Sequence, residues 1–87
     1  MRLVFSTRFK KHYRKLPSVL QIRADERLAL FAKDTFSPLL NNHPLHGEHN
    51  DKWSINVGGD CRIVYREIEV SVYLLIDIGT HSELYGR

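Results

Sequence analysis

The chain has 87 residues, 13 Lys/Arg against 10 Asp/Glu, 43% hydrophobic residues and one cysteine. That length predicts one domain with one core, and the composition is that of a globular protein rather than a disordered one. No apolar run reaches the roughly 18–20 residues that span a bilayer, and the lone Cys61 excludes an internal disulfide and fits a reducing, cytoplasmic setting.

"MRLVF" opens the chain as a short strand. Charge follows too soon for a secretory signal peptide. "STRFKKHYRKL" reads as a helix with Ser6 or Thr7 as its N-cap and Phe9, Tyr13 and Leu16 as one apolar stripe. Lys10, Lys11, Arg14 and Lys15 lie off that stripe. Up to Arg23 there are seven basic residues and no acidic one, whereas ten acidic residues face six basic ones afterwards. Such asymmetry gives an electropositive surface suited to a polyanion, or a merely solvated helix face. Pro17 ends the helix, and Ser18-x-x-Gln21 has the form of a capping box opening a second, with Leu20, Ala24, Leu28 and Phe31 on one face.

Residues 33–51 form the irregular part, with a short helical turn around Pro38–Leu40 and then a loop through Gly47. Three strands follow. "KWSINV" alternates Trp53, Ile55 and Val57 to one side. Gly58-Gly59 or Gly59-Asp60 makes a tight turn. "CRIVYRE" sets Cys61, Ile63 and Tyr65 against Arg62, Val64 and Arg66, and a turn is expected at Glu67–Glu69. "VSVYLLIDI" is apolar enough for an interior strand covered on both faces. The expected order is β-α-α-β-β-β, an α+β fold: a small antiparallel sheet with a mixed edge and a helical hairpin on one face.

In this order, "HPLHGEH", the Trp53 strand, "GGDCRIVYR" and the closing "THSELY" resemble the RelE/ParE toxin superfamily of type II toxin–antitoxin systems, nearest its YafQ-like subgroup. The resemblance covers the whole chain. It implies a ribosome-dependent endoribonuclease that cuts mRNA in the A site, inhibits translation and is held inactive by a cognate antitoxin. A divergent branch inhibits DNA gyrase without chemistry, and a third reading is an inactive antitoxin-binding component.

Metal-free RNA cleavage needs a base for the 2′-hydroxyl, a cation for the phosphorane and an acid for the 5′-oxygen. Histidine serves the first and last, arginine the second. By resemblance, His81 is the leading acid/base residue, His43 a second, Asp60 a base or an orienter of histidine, and Arg62 the phosphate-stabilising cation. Tyr85 would stack on or orient the substrate, Arg66 would extend the positive track, and Lys10, Lys11 and Arg14 would face ribosomal RNA or an acidic antitoxin segment. Three positions depart from the subgroup: Asn56 stands for a strand histidine, Cys61 for an aromatic residue and Asp77 for an arginine. Asn56 cannot relay a proton, and Arg62 is the guanidinium left to compensate. His43, His46 and His49 are spaced by three, but Pro44 and Gly47 prevent a helical stack of zinc ligands. No metal, small-molecule cofactor or membrane partner is therefore expected, since the 2′-hydroxyl supplies the nucleophile.

Overall fold

The computed structural model describes residues 1–86. Strand β1 (Arg2–Phe5) leads into helix α1 (Thr7–Arg14), which is followed by α2 (Ser18–Lys33) and a 3-10 turn at Pro38–Leu40. Then come β2 (His43–Pro44), a second 3-10 turn (Gly47–His49), β3 (Trp53–Gly58), β4 (Cys61–Glu69), β5 (Val72–Thr80) and α3 (His81–Tyr85). The five strands form one open sheet in the order β1-β5-β4-β3-β2. β1 runs parallel to β5 and the other pairs are antiparallel, so the fold is the expected α+β arrangement with a mixed edge. No described helix is long and apolar enough to cross a membrane.

One face of the sheet carries the core. Ile55 and Val57 from β3, Cys61, Ile63 and Tyr65 from β4, and Leu75 and Ile78 from β5 meet Phe9 of α1 and Ala24, Leu28 and Phe31 of α2. Alternation along the strands supplies the first set, and the helical stripes supply the second. Phe31 is fully buried, with its ring 4.8 Å from Tyr65 and 5.3 Å from Tyr73 in edge-on contacts. Tyr65 reaches past it, donating from its hydroxyl to Asn42 Oδ1 at 2.8 Å, while Asn42 Nδ2 donates to the Thr35 carbonyl at 2.9 Å. This relay ties the irregular segment to the sheet, and burial pushes the Tyr65 phenol up to about 12.

Ser6 caps α1, accepting the Phe9 N–H at 2.9 Å, and its hydroxyl donates to the Ile76 carbonyl at 2.6 Å, fastening the helix start to β5. The Ser18 capping box does not form. Pro17 is the N-cap of α2 without a side-chain bond, and Gln21 donates to the Tyr13 carbonyl at 2.9 Å instead. That carbonyl, in the last turn of α1, accepts the Leu16 N–H at 3.1 Å and has a second lone pair for the amide.

The turn expected at Glu67–Glu69 lies further on, at Val70–Ser71. β4 runs through Glu69, Ser71 takes a left-handed φ of 61°, and Glu67 Oε2 accepts the Ser71 N–H at 3.0 Å. At the β3–β4 turn Gly59 has φ 53°, which selects the Gly59-Asp60 alternative. Gly58 lies against Arg23, and a Cβ there would come within 2.5 Å of Nη1, so the guanidinium would have to shift.

Besides the turn at Gly47–His49, β2 and α3 were not expected. β2 is a two-residue edge strand pairing His43 with Ser54 and Pro44 with Trp53, and proline is tolerated there because an edge donor is dispensable. α3 begins within the closing motif, where Thr80 Oγ1 accepts the Glu83 N–H at 3.3 Å and Glu83 Oε1 accepts the Thr80 N–H at 2.7 Å. Thr80-x-x-Glu83 is a capping box in the sequence, and Gly86 closes the helix in the left-handed region.

Candidate functional site

The sheet's second face carries Arg62, Val64 and Arg66 from β4 and Ser54 and Asn56 from β3. β4 and β5 are out of step between Val64 and Tyr65, so that Asp77 faces Val64 while Leu75 faces Tyr65. A β-bulge at Ile76 gives one extra residue to β5, which keeps Leu75 and Ile78 in the core and leaves Asp77 on the second face. α3 and the turn Gly47–His49 cover part of this face. Leu84, Tyr85 and His49 wall a small cleft of about 110 Å³ with Val64, Ile76, Asp77, Arg8 and Lys52.

Beside it lies an open cavity of about 370 Å³ lined by Leu45, His46, Glu48, His49, His81 and Tyr85. The Tyr85 ring stands between two imidazoles. Its centroid is 4.7 Å from that of His81 and 5.6 Å from that of His49, with interplanar angles of 67° and 62°. His81 and Tyr85 are one helical turn apart on α3, which brings their rings together. Gly47, with φ 68°, starts the turn that delivers His49 from the other side.

Asp60 acts on this site through the backbone, its Oδ2 accepting the His81 N–H at 3.4 Å. It therefore steadies the start of α3 rather than the imidazole. Arg62 is on the same face, in register with Gly79, but its guanidinium is folded back and donates to the Gly59 carbonyl at 3.2 Å. Arg66 pairs with Asp51 at 3.3 Å. His43 does not line the cavity; its Nδ1 lies 2.7 Å from the Asn41 carbonyl. Lys10 and Arg14 border a separate groove of about 290 Å³ with Phe5, Phe9, Tyr13, Asp25 and Leu28, and Lys11 lies on the same helix outside it. Of the expected residues, His81 and Tyr85 share a cavity wall and Asp60 supports them.

The sequence offers His43 as the second imidazole and leaves His46 and His49 as loop contacts with solvent or RNA, whereas the cavity is lined by His46 and His49, brought in by the turn at "GEH". Two buried acceptors on the same face, Ser54 Oγ and Asn56 Oδ1, have no hydrogen-bond partner among the described residues. Cys61 belongs to the core. Burial pushes its thiol up, the Glu83 and Asp60 charges add to this and Arg62 opposes it, so it stays protonated and is no nucleophile. No three His, Cys, Asp or Glu residues among those described are grouped to hold a metal ion.

A family model described as the bacterial toxin of type II toxin–antitoxin system, YafQ, matches residues 1–86. The chain belongs to that family. Among solved structures it is similar to a YoeB/ParE toxin from Agrobacterium tumefaciens, with 20% identity, TM-score 0.78, and coverage of 93% of this chain and 99% of that one. It is also similar to YafQ from E. coli, at 18% identity and TM-score 0.77 over 99% of this chain and 100% of that one. The E. coli DinJ–YafQ complex gives TM-score 0.76 at 18% identity, covering 99% of this chain and 100% of the matched one. At such identities the likeness is one of fold. No curated protein sequence matches the chain.

Proposed function

We propose that this YafQ-family toxin is a ribosome-dependent endoribonuclease that cleaves mRNA in the A site. The observation that carries the reading is the convergence of His81 and His49 on either side of Tyr85 in one open cavity. Proton removal and proton return need an acceptor and a donor, and imidazole is the side chain suited to both. One takes the proton of the 2′-hydroxyl as that oxygen bonds to phosphorus. The phosphorus–O5′ bond breaks, and the other imidazole gives its proton to the departing oxygen. The products are a 2′,3′-cyclic phosphate, opening to a 3′-phosphate, and a 5′-hydroxyl. Tyr85 holds a base by stacking. Arg62, released from its single long bond to Gly59, supplies charge to the phosphorane, and Arg66 and Lys52 extend the cationic border.

The enzyme works in the cytoplasm with ribosomes, and a cognate antitoxin restrains it. The groove bordered by Lys10 and Arg14, with Phe5, Phe9 and Tyr13 as its apolar wall, suits an acidic amphipathic segment of that partner. Primer extension on a defined message in a translation extract tests the reading: A-site cuts are expected with the parent and none with His81→Ala. An intact message with the parent protein would refute it.

A further inference from the structure

Outside the cavity walls, one acid/base pair is built into the fold and has no role in the reaction above. Asp77, only 7% exposed, accepts with one oxygen from His12 Nδ1 at 2.6 Å and from the Ile78 N–H at 2.8 Å. An ionised carboxylate only accepts, so His12 Nδ1 carries its hydrogen and Nε2 is the nitrogen left for another partner. The His12 side chain is 39% exposed and lines a cleft of about 480 Å³ with Lys15, Leu16, Thr80 and Glu83. Glu83 is already engaged by the Thr80 N–H.

His12 is also the middle of a stripe. Arg8, His12 and Lys15 are spaced by four and three on α1 and its C-cap, which puts them on one side of the helix. Neither Arg8 nor Lys15 makes an ion pair or a side-chain hydrogen bond among the described residues. Arg8 and Asp77 share the small cleft with His49 and Tyr85, and His49 and Tyr85 also wall the His81 cavity. The His81 cavity and the Arg8 cleft thus have the His49–Tyr85 wall in common, and Asp77 on the Arg8 side holds His12, which borders the next cleft with Lys15.

We propose that His12, held by Asp77 and flanked by Arg8 and Lys15, is a phosphate-contact subsite for the message strand as it leaves the cleavage cavity. The proposal rests on the endoribonuclease reading for the identity of the strand. The buried carboxylate takes the Nδ1 hydrogen and fixes the ring, so that in the imidazolium form the outward Nε2–H meets a phosphodiester oxygen in a charge-assisted bond. The two unpaired cations take neighbouring phosphates.

The test uses the full chain carrying His81→Ala, so that binding is read without cleavage, and a single-stranded RNA hexamer. Anisotropy titrations over a range of NaCl concentrations give affinity and salt slope. Adding His12→Ala is expected to weaken binding about fivefold or more and to lower the log–log salt slope by about 0.7, the value for one phosphate on a single strand. Lys33→Ala, at the end of α2, is expected to change neither. Should His12→Ala fail to fold, His12→Gln keeps a side-chain donor for Asp77 while removing the imidazole. In NMR titrations of the His81→Ala protein, the His12 and His49 ring resonances are expected to shift together at one affinity. Unchanged affinity and slope, a shift at His49 alone, or no binding of the hexamer would each overturn the subsite. Message cleavage is scored separately, so an uncut message with His12 still responding would sink the nuclease reading and leave the subsite standing.

Discussion

Thr80→Val should slow the toxin without unfolding it. Thr80 and Glu83 exchange two hydrogen bonds across the first turn of α3, and this helix of five residues buries none of them. A helix that short has no stability of its own, so its order depends on the cap and on Asp60 holding the His81 N–H. Valine keeps the shape of threonine and removes the accepting oxygen, at a cost of about 1 kcal/mol for a lost N-cap. At 0.59 kcal/mol for RT, that is about a fivefold shift toward disordered α3. His81 and Tyr85 both ride on this helix, so message cleavage by primer extension is expected to fall about two- to fivefold. Amide exchange at Glu83 should accelerate by a similar factor, and the melting temperature should barely move. Gly79→Ala should act in the same direction, because its methyl would sit 2.7 Å from Glu83 Oε1 and displace the carboxylate. Full-rate cleavage by Thr80→Val despite faster exchange at Glu83 would refute the dependence of catalysis on an ordered α3.

Other consequences are open to simple assays. Phe31→Ala empties the centre of the aromatic cluster and should destabilise the protein by about 3–5 kcal/mol in urea titration. Tyr65 is held protonated by burial, so the stability it contributes is complete below about pH 10 and is lost as pH rises through about 12. Denaturation midpoints from pH 9 upward should show that decline, and Tyr65→Phe should flatten it while costing about 1–2 kcal/mol for the stranded Asn42 acceptor. Tyr85→Phe should keep most cleavage activity because the ring remains, whereas Tyr85→Ala should lose about 1–3 kcal/mol of base stacking in substrate affinity.

Which parts of this fold were legible in the sequence follows from how local their causes are. The stripe of Phe9, Tyr13 and Leu16, the face of Ala24, Leu28 and Phe31, and the alternation from Trp53 to Tyr65 are periodic patterns, and the core was readable from them. α3 was legible too, through Thr80 and Glu83, but a five-residue helix is easily passed over as the frayed end of a strand. β2 has no periodic signal, since two residues including Pro44 form it only because β3 offers an edge. At the site, His81 and Tyr85 lie a turn apart and could be read together. His49 could not, because the turn at Gly47 rather than sequence proximity brings it to Tyr85. The His12–Asp77 pair spans 65 positions, and in the sequence Asp77 is merely an arginine missing from a motif.

The central claim is that the His81 imidazole moves a proton in cutting RNA. The most direct measurement supplies purified ribosomes stalled on an end-labelled message with the toxin and identifies the termini of any fragment. The account predicts a 2′,3′-cyclic or 3′-phosphate paired with a 5′-hydroxyl at the A-site codon, and no fragment with a folded His81→Ala protein. Undiminished cutting by that variant, or fragments ending in a 3′-hydroxyl and a 5′-phosphate, would contradict it.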